Sequence, residues 1–560
     1  MASGARGAQN AGGSSSRLPI LLLIFAAITA IFVGRLVYLQ VIVADEYSEQ
    51  AAASRTVVAD LSPRRGTIYD RNGKVLATSV DATTIYVNPK EVEDASATAN
   101  ALSEVLGGEA SDYRELIDQD TTFVYVKRKA DVEVADTLRE KGLAGVHFLE
   151  DTKRVYPYGQ VGGQVLGFVN IDGEGVCGLE LYYDDILRGS SGKLVVQQGA
   201  YGIPIPGGTE VEEPATDGQD IIVSIDIDMQ EYLENRLAQG VEDIGGEDGS
   251  AVLMDASTGE LLAIASTPYF NPADTSVVED GATSIKAITT QFEPGSIFKA
   301  VSAMAMLEAG AITPETVIDC PVQIQADEYT ISDAHERPAT SMTMRQVIAE
   351  SSNVGTALAV ESYLGFRPLY DKILSYGLNE ATGVDYPGEA TGYLTNVDTW
   401  PQIQRYNVTF GQGVSVSPLQ MVRFYGALAN GGVACTPHFL TDKLSGEEVS
   451  WPTEQIIQNV DAIPDMTEML EAVVTEGTGT SAAIDGYTVA GKTGTAEYAD
   501  ETGAYAKGMY NLDFVGYLPD ASTPLVCFVG VNHVPYERNT TEVFRDIMTE
   551  AISRYRVVQS

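Results

Sequence analysis

The chain has 560 residues, enough for a membrane anchor and two or more domains, and 44% of them are hydrophobic. Acidic residues number 78 against 35 basic ones, a net charge of −43, which argues against a nucleic-acid partner because phosphate binding needs a basic surface. Four cysteines without a C-x-x-C spacing and only four histidines argue against a metal site, and we interpret the cysteines as small core residues whose pairing stays open: Cys177, Cys320, Cys435 and Cys527.

The N-terminus predicts a short tail and one membrane-spanning helix. Residues 1–16 are rich in Gly, Ala and Ser and predict a disordered cytoplasmic tail. Residues 17–43 carry an apolar run, interrupted by Arg35, that suffices for a transmembrane helix. Arginines precede the run and acidic residues follow it, so the positive-inside rule places the N-terminus in the cytoplasm. A cleaved signal peptide is the alternative, but no A-x-A-like site follows the run.

A charged motif, Arg65-Gly66-Thr67-Ile68-Tyr69-Asp70-Arg71-Asn72-Gly73, follows soon after the apolar run. Asn72-Gly73 between two β-type runs predicts a type I′ hairpin turn. The charges of Arg65, Asp70 and Arg71 have two interpretations: solvated residues of a surface hairpin, or a buried ionic clasp between two domains.

Composition divides the remaining chain into two domains and a linker. Residues 44–198 form the first domain, and residues 199–220, rich in Gly, Pro and acid, predict a linker. A β-type run opens the second domain, 221–557, which mixes strands and helices. Its strands are predicted at 251–254, 260–265, 487–498, 513–518 and 525–531, the last three in an antiparallel sheet that a final helix at about 543–554 covers.

The most informative stretch of the second domain is Glu293-Pro294-Gly295-Ser296-Ile297-Phe298-Lys299. An apolar-rich helix pattern begins at Ser296, which places Lys299 on the same helix face. A serine hydroxyl becomes a nucleophile when a neighbouring amine in a dry pocket acts as its base. The pair alone is weak, since a capping serine with a solvated lysine gives the same spacing. A second Ser-x-x-Lys, Ser190 to Lys193, has no helix behind it and is interpreted as a loop.

Two further motifs follow in order and strengthen the interpretation of Ser296. Ser351-Ser352-Asn353 lies between two helical patterns, and Lys492-Thr493-Gly494-Thr495 follows a β-type run. The order S-x-x-K, S-x-N, K-T-G resembles that of penicillin-recognising serine acyltransferases. Together with the R-G-x-I-x-D-R-N-G motif after a membrane anchor, it resembles the class B penicillin-binding proteins, and the motif wording leans towards a division-type member.

The resemblance implies an α+β fold with three parts. These are a single N-terminal transmembrane helix, a β-rich elongated pedestal (dimerisation-type) domain, and a transpeptidase domain whose five-stranded antiparallel sheet is flanked by helices. The interdomain motif would comprise Arg65, Gly66, Asp70 and Arg71. No cofactor or metal is implied.

The resemblance also implies a D,D-transpeptidase that cross-links peptidoglycan stem peptides with release of D-alanine, in wall synthesis and cell division. Ser296 would be the nucleophile, Lys299 its base and Ser351 a proton relay to Lys492 and the leaving amine. Asn353 would hold Lys299 and the substrate amide. Thr493 and Thr495 would bind the terminal carboxylate with Lys492, and Gly494 would keep the strand edge free of a side chain against the substrate.

The implied partners are D-Ala-D-Ala stem peptides, β-lactam antibiotics, and a SEDS-type membrane glycosyltransferase with other wall-synthesis or division proteins. The implied location is the cell membrane, single-pass, with the catalytic domain outside the cytoplasm. A β-lactam-hydrolysing enzyme and a β-lactam sensor are the alternatives. Glu350 and Glu389 lie near the motifs, but nothing in the sequence marks either as a deacylating base. The acceptor peptide, the oligomeric state, and the choice between division and elongation stay open.

Overall fold

The computed structural model describes residues 17–43, 56–61, 63–198, 204–499, 505–535 and 538–559. The predicted tail and the beginning of the predicted first domain, 44–55, lie outside the described residues. Helix α1 spans Arg17–Val37 and continues as a π-helical turn, Tyr38–Ile42. The stretch Leu18–Ile42 is 25 residues long and apolar, enough to cross a membrane. The predicted N-terminal apolar helix is therefore confirmed.

Short strands and helices alternate through the first half of the chain. The described elements are, in order, β1 (Thr56–Leu61), β2 (Ile68–Tyr69), β3 (Val75–Val87), α2 (Ala95–Leu106), α3 (Ala110–Ile117), β4 (Val124–Ala130), α4 (Val132–Lys141), β5 (Val146–Val155), α5 (Gly163–Leu166), α6 (Gly178–Tyr182), α7 (Asp184–Leu187), β6 (Gly192–Gln198) and β7 (Pro204–Glu213).

The second half has longer helices around a larger sheet. It continues with β8 (Ile221–Val223), α8 (Ile227–Ile244), β9 (Asp248–Asp255), β10 (Leu261–Ser266), α9 (Lys286–Thr289), α10 (Lys299–Glu308), β11 (Val317–Cys320), β12 (Gln323–Ala326), β13 (Tyr329–Ser332), β14 (Thr340–Thr343), α11 (Met344–Ala349), α12 (Asn353–Ala359) and α13 (Phe366–Ser375). The last elements are α14 (Gln402–Thr409), α15 (Pro418–Ala429), β15 (Val433–Cys435), β16 (Leu440–Lys443), β17 (Thr453–Gln455), α16 (Ile463–Thr475), β18 (Ala490–Ala499), β19 (Tyr505–Tyr517), β20 (Leu525–Val534) and α17 (Thr541–Tyr555).

The chain forms two compact units, and the smaller one contains a sheet that the sequence did not predict. This unit comprises Met1–Pro63 and Ser190–Thr216. Within it, β1, β6 and β7 form a three-stranded antiparallel sheet with β6 in the centre. The predicted linker 199–220 contains the strand Pro204–Glu213, whose pairing with β6 satisfies its backbone hydrogen-bonding groups. Residues 199–203 lie outside the described residues.

The larger unit, Arg64–Gly189 with Asp217–Ser560, begins with a small α+β lobe. Strand β3 pairs with both β4 and β5, and helices α2, α3 and α4 cover one face of these strands. The same sheet continues through β2 to β8 and β16, so strands from both halves of the sequence share it. The part of the chain from β8 onward contains the three motifs and is called the catalytic half below. Backbone hydrogen bonds as well as side chains join the lobe, called the pedestal lobe below, to this half.

The turn between β2 and β3 differs from the predicted type I′ hairpin. That turn needs a positive φ at both central residues, but only Gly73 has one, at 81°. Instead, the carboxylate of Asp70 accepts hydrogen bonds from the backbone N–H groups of Asn72 and Lys74, both at 2.8 Å. The side chain of Asp70 holds the turn, which removes the need for left-handed geometry at Asn72.

The catalytic half is built on a five-stranded antiparallel sheet in the order β10-β9-β20-β19-β18. Side chains alternate across it: Leu253 packs with α8 and α17 on one face, whereas Met254 packs with α10 and α15 on the other. The final helix α17 covers the first face. The predicted α+β class and the predicted antiparallel sheet are confirmed.

Candidate active site

The candidate nucleophile lies where the polypeptide enters helix α10. Residues Gly295–Phe298 form a 3₁₀ turn, and α10 begins directly after it at Lys299. The side chain of Lys299 is fully buried, and its Nζ lies 3.0 Å from the Oγ of Ser296. Gly295 has a φ of 51° and packs against the backbone of Thr495, which brings the turn against strand β18. The predicted Ser-x-x-Lys pair therefore shares one helix face.

Ser351 completes a triad with this pair. The Nζ of Lys299 donates to the Oγ of Ser351 at 3.0 Å and to its carbonyl oxygen at 2.5 Å. Ser351 has a φ of 58°, a left-handed conformation that costs a non-glycine residue roughly 1–3 kcal/mol. This conformation lets both polar groups of one residue point at the same amine.

Burial changes the basicity of the Lys299 amine. Desolvation lowers its pKa to about 7, opposed only in part by the negative charge of Asp333. The pKa of Lys492, also fully buried, lies well below its usual value because of burial and the nearby positive charge of Lys299. At pH 7 about half of the Lys299 amines are therefore neutral, the state that can accept a proton.

The K-T-G stretch lies on the edge strand β18. The Nζ of Lys492 donates to the carbonyl and the hydroxyl of Thr493 at 3.1 and 3.2 Å. The hydroxyl of Thr493 also pairs with that of Thr478 at 2.6 Å. A Cβ at Gly494 would meet Asp513 and Ile297, each at 3.1 Å, on the inner side of the strand, which is closer than an ordinary contact. Packing against the nucleophile turn therefore gives Gly494 a structural reason, in addition to the predicted one that it keeps the strand edge free for the substrate.

Asn353 occupies a different place from the predicted one. It begins helix α12, and its amide nitrogen donates to the carbonyl of Ser332 at 3.1 Å. The hydrogen bonds that Lys299 makes to described residues go to Ser296 and Ser351. Asn353 therefore ties the motif to strand β13, and the prediction that it holds Lys299 is not met in this structure.

Sequence reasoning missed Asp333, which organises the middle motif. Its carboxylate accepts hydrogen bonds from the Ser352 hydroxyl at 2.8 Å and from the backbone N–H of Val354 at 2.9 Å. It also pairs with Arg337 at 2.5 Å. Nothing in the local sequence marks this aspartate, because it reaches the motif only after the β13–β14 connection has folded against α12.

Residues of all three motifs border a cavity of about 550 Å³. Its lining is mainly polar and comprises Ser296, Asp333, Ala334, His335, Arg337, Glu350, Ser351, Ser352, Asn353, Glu476, Gly477, Thr478, Thr493, Thr495, Arg538 and Asn539. Among the described residues, no group of three or more His, Cys, Asp or Glu is placed to hold a metal ion. The arrangement suits acyl transfer through a serine, with hydroxyl and amide groups around the reacting carbonyl.

Comparison with known families identifies this arrangement. Residues 249–549 match the family described as penicillin binding protein transpeptidase domain, and residues 60–223 match the penicillin-binding protein dimerisation domain. The chain belongs to the penicillin-binding proteins. The matched ranges contain the three motifs and the charged motif after the anchor, but the predicted domain limits stay predictions.

Relatives of this penicillin-binding protein cover nearly the whole chain. Penicillin-binding protein PbpB of Mycobacterium tuberculosis is 33% identical over 531 residues, which span 89% of this chain and 77% of the relative. Peptidoglycan D,D-transpeptidase FtsI of Escherichia coli is 33% identical over 523 residues, spanning 90% and 85%. The crystal structure of penicillin binding protein 3 from M. tuberculosis complexed with aztreonam has a TM-score of 0.71 at 27% identity, covering 90% of this chain and 98% of that one. The predicted class B, division-type family is confirmed.

Arg65 of the charged motif is part of a buried ionic network within the first half of the chain, called the clasp below. Arg65 donates to Glu180 and to Asp184, both at 2.6 Å, and Arg154 donates to the other oxygen of Glu180 at 2.7 Å. Glu180 is fully buried. Gly66 admits no side chain, since a Cβ would lie 2.0 Å from the carbonyl oxygen of Gln219.

Asp70 and Arg71 extend the clasp to the catalytic half. Asp70 is fully buried beside the first turn of α8, where it accepts from the backbone N–H of Ile227 at 3.4 Å. The side chain of Arg71 pairs with Glu260 at 3.2 Å, and its backbone N–H donates to Ile225. The motif therefore joins the pedestal lobe to the sheet that carries the active site.

The sequence left the roles of Glu350 and Glu389 open, and the structure gives the two residues different environments. The carboxylate of Glu389 accepts hydrogen bonds from the backbone and hydroxyl of Thr382 and from the backbone N–H of Gly383. It therefore has a structural role and does not border the cavity. Glu350 does border the cavity, next to Ser351.

Proposed function

We propose that this chain is a peptidoglycan D,D-transpeptidase that cross-links stem peptides through an acyl-enzyme on Ser296. The observation that carries the proposal is the position of the Lys299 amine, 3.0 Å from the hydroxyls of both Ser296 and Ser351. One amine is thereby shared by a nucleophile and a relay. The names of the relatives, penicillin-binding protein and D,D-transpeptidase, support the same reaction.

Acylation begins with proton transfer from Ser296 to Lys299. The Ser296 oxygen attacks the carbonyl carbon of the penultimate D-Ala, and the backbone N–H groups of Ser296 and Thr495 receive the developing oxyanion. Collapse of this intermediate breaks the peptide bond, and the proton held by Lys299 passes through Ser351 to the departing amine of D-Ala. An amine of a second stem peptide then attacks the acyl-enzyme and regenerates the Ser296 hydroxyl.

Strand β18 supplies substrate recognition in this scheme. The hydroxyls of Thr493 and Thr495 border the cavity and bind the terminal carboxylate, with the buried amine of Lys492 behind them. β-Lactams mimic the D-Ala-D-Ala end and leave a stable acyl group on Ser296. Asn353 orients the substrate amide from α12.

Labelling with a fluorescent penicillin tests the nucleophile. We expect the full-length protein to be labelled covalently and Ser296→Ala to lose the label, because the variant lacks the hydroxyl that forms the acyl bond. Ser190→Ala is the matched control: Ser190 begins the second Ser-x-x-Lys, but its backbone bridges to Thr216 and Lys193 lies on strand β6. Unchanged labelling of Ser296→Ala would disprove the assignment.

Release of the acyl group separates the transpeptidase from a β-lactam-hydrolysing enzyme. We expect the penicilloyl-protein to persist, because Glu389 is engaged in structural hydrogen bonds. Turnover of penicillin many times per second, as typical enzymes achieve, would favour hydrolysis. A Glu350→Gln variant would then test the carboxylate at the cavity rim as the base.

The N-terminal helix supports a proposal for the location and the protein partner. The basic residues before Leu18–Ile42 support a cytoplasmic N-terminus and a catalytic domain outside the cytoplasm. The mechanism requires newly made glycan strands, and neither matched domain polymerises glycan. The partner that supplies them is a SEDS-type membrane glycosyltransferase, together with other wall-synthesis or division proteins.

A further inference from the structure

A second cavity, of about 320 Å³, lies beside the active-site sheet. Strands β9, β19 and β20 and the segment 290–292 border it, and it shares no lining residue with the cavity at Ser296. Its volume is at the lower end for small-molecule sites. The catalytic scheme uses none of the residues that line it.

The carboxyl group of Asp513 is the unusual feature of this cavity. It is fully buried on strand β19, and its Oδ2 has no hydrogen-bond partner among the described residues. Its backbone lies opposite Gly494 on one side and Gly530 on the other, and a Cβ at Gly530 would lie 2.7 Å from Oδ1. The two neighbouring strands thus make room for this side chain. A buried polar group without a partner is costly.

The other ionisable side chains around the cavity have partners. Lys286 pairs with Asp248 at 2.7 Å, and Asn532 donates to the other oxygen of Asp248 at 2.6 Å. His533 lies 2.8 Å from Glu247. Burial raises the pKa of the Asp513 carboxyl to about 8, because the apolar surroundings disfavour its charged form.

Part of the remaining wall is aromatic. The rings of Phe292 and Phe528 meet edge to face with centroids 6.1 Å apart, and Pro418 lies beside them. Aromatic rings next to a carboxylate are a favourable environment for an organic cation, whose charge faces the carboxylate while its carbon atoms contact the rings.

We propose that this cavity binds a small organic ammonium ion, with Asp513 as the acceptor for the amine and Phe292 and Phe528 as the surface for its apolar part. Such a ligand favours the ionised form of the Asp513 carboxyl, which burial by itself disfavours, and satisfies the unpartnered oxygen. The proposal is independent of the reaction at Ser296, because the two cavities have separate linings.

Titration of the full-length protein in detergent micelles with benzylammonium chloride tests this site. Ligand-observed NMR should detect millimolar binding, and benzyl alcohol, a neutral probe of similar size, should bind at least tenfold more weakly. Asp513→Asn, which keeps the shape and removes the charge, should weaken benzylammonium binding at least tenfold. Glu350→Gln removes a carboxylate from the other cavity and should leave binding unchanged.

Thermal unfolding shows whether Asp513→Asn retains the fold. If it does not, Phe292→Leu provides the second variant and should weaken binding several-fold through loss of ring contact. Absence of benzylammonium binding, equal binding of the alcohol, wild-type affinity in a folded Asp513→Asn variant, or loss of binding in Glu350→Gln would each overturn the proposal.

Discussion

At the scale of single residues, the environment of one amine decides the chemistry. A solvated lysine with a pKa near 10.4 is neutral in only about one molecule in two thousand at pH 7. The pKa of about 7 that burial gives Lys299 makes roughly half of the molecules neutral at the same pH. Burial therefore converts a poor base into an effective one without any additional charged partner.

The pH dependence of penicillin acylation tests this view. We expect the second-order acylation rate to rise from pH 5 and to level off above pH 7, since only the neutral amine of Lys299 accepts the proton of Ser296. Stopped-flow measurement between pH 5 and 9 checks it. A rate that falls over this range would contradict the assignment of Lys299 as the base.

Substitution of Lys299 by Arg provides the control for charge. A guanidinium keeps its proton across the whole range, so Lys299→Arg should lower the rate by about 10²–10⁴-fold at every pH and abolish the rise. A retained rise in Lys299→Arg would assign the titration to another group.

At the scale of elements, the loop between β13 and β14 holds the start of helix α12. Asp333 contacts the Ser352 hydroxyl, the backbone N–H of Val354 and the guanidinium of Arg337. Ser352 in turn caps α12 by accepting from Gly355 at 2.9 Å. This network fixes the residues that follow Ser351 and so helps to maintain its left-handed backbone.

Replacement of Asp333 by Ala should therefore affect catalysis through position. We expect acylation of Ser296 to slow by about tenfold or more and the free energy of unfolding to fall by about 1–3 kcal/mol, because the Ser352 hydroxyl and the Val354 N–H lose their acceptor. Asp319→Ala removes an exposed carboxylate that contacts Ser341 on the neighbouring hairpin and should change neither. Equal acylation rates in both variants would refute the positioning role.

At the scale of the whole molecule, a buried ionic network ties together distant segments of the first half of the chain, and Asp70 and Arg71 beside it reach the catalytic half. Arg65 and Arg154 share the carboxylate of Glu180, and Arg65 also reaches Asp184. Removing one partner of a buried pair leaves the other charge uncompensated, which costs about 3–5 kcal/mol. The intact clasp therefore adds little net stability, whereas removal of one of its partners strongly destabilises the fold.

Neighbouring arginines provide a matched test of the clasp. Arg65→Ala should lower the free energy of unfolding by about 3–5 kcal/mol. Arg64→Ala breaks an exposed pair with Asp81 and should cost less than about 1 kcal/mol. Chemical denaturation of the full-length protein measures both. Equal effects of the two substitutions would show that burial of Arg65 is irrelevant.

Exchange of the anchor tests the proposed glycosyltransferase partner. Replacing 18–43 with an unrelated apolar helix should preserve penicillin labelling of Ser296 but weaken co-purification with the glycosyltransferase and impair growth. Gly34 is one reason to expect this result. It carries no side chain and has no neighbouring atom within 4 Å of a Cβ position, so a second helix can approach closely there. Normal growth and full co-purification after the exchange would reduce the anchor to a tether.

The sequence by itself determined which motifs the chain carries, their order along the chain and the local structure around each of them. Hydrophobic length predicts the anchor, and helix or strand periodicity around Ser296, Ser351 and Lys492 predicts the local structure of each motif. These features depend on residues close together in the chain, so a local pattern suffices to predict them. The antiparallel sheet followed in the same way from its β-type runs.

Only the tertiary structure decided the features that depend on distant residues. It turned Asn353 towards Ser332, placed Asp333 under the middle motif and gave Gly494 its packing reason in Asp513 and Ile297. It also paired 204–213 with β6 and selected the buried clasp for Arg65 over a solvated hairpin. Hydrogen bonds and desolvation act between groups that are close in space, and the chain brings those groups together only when it folds.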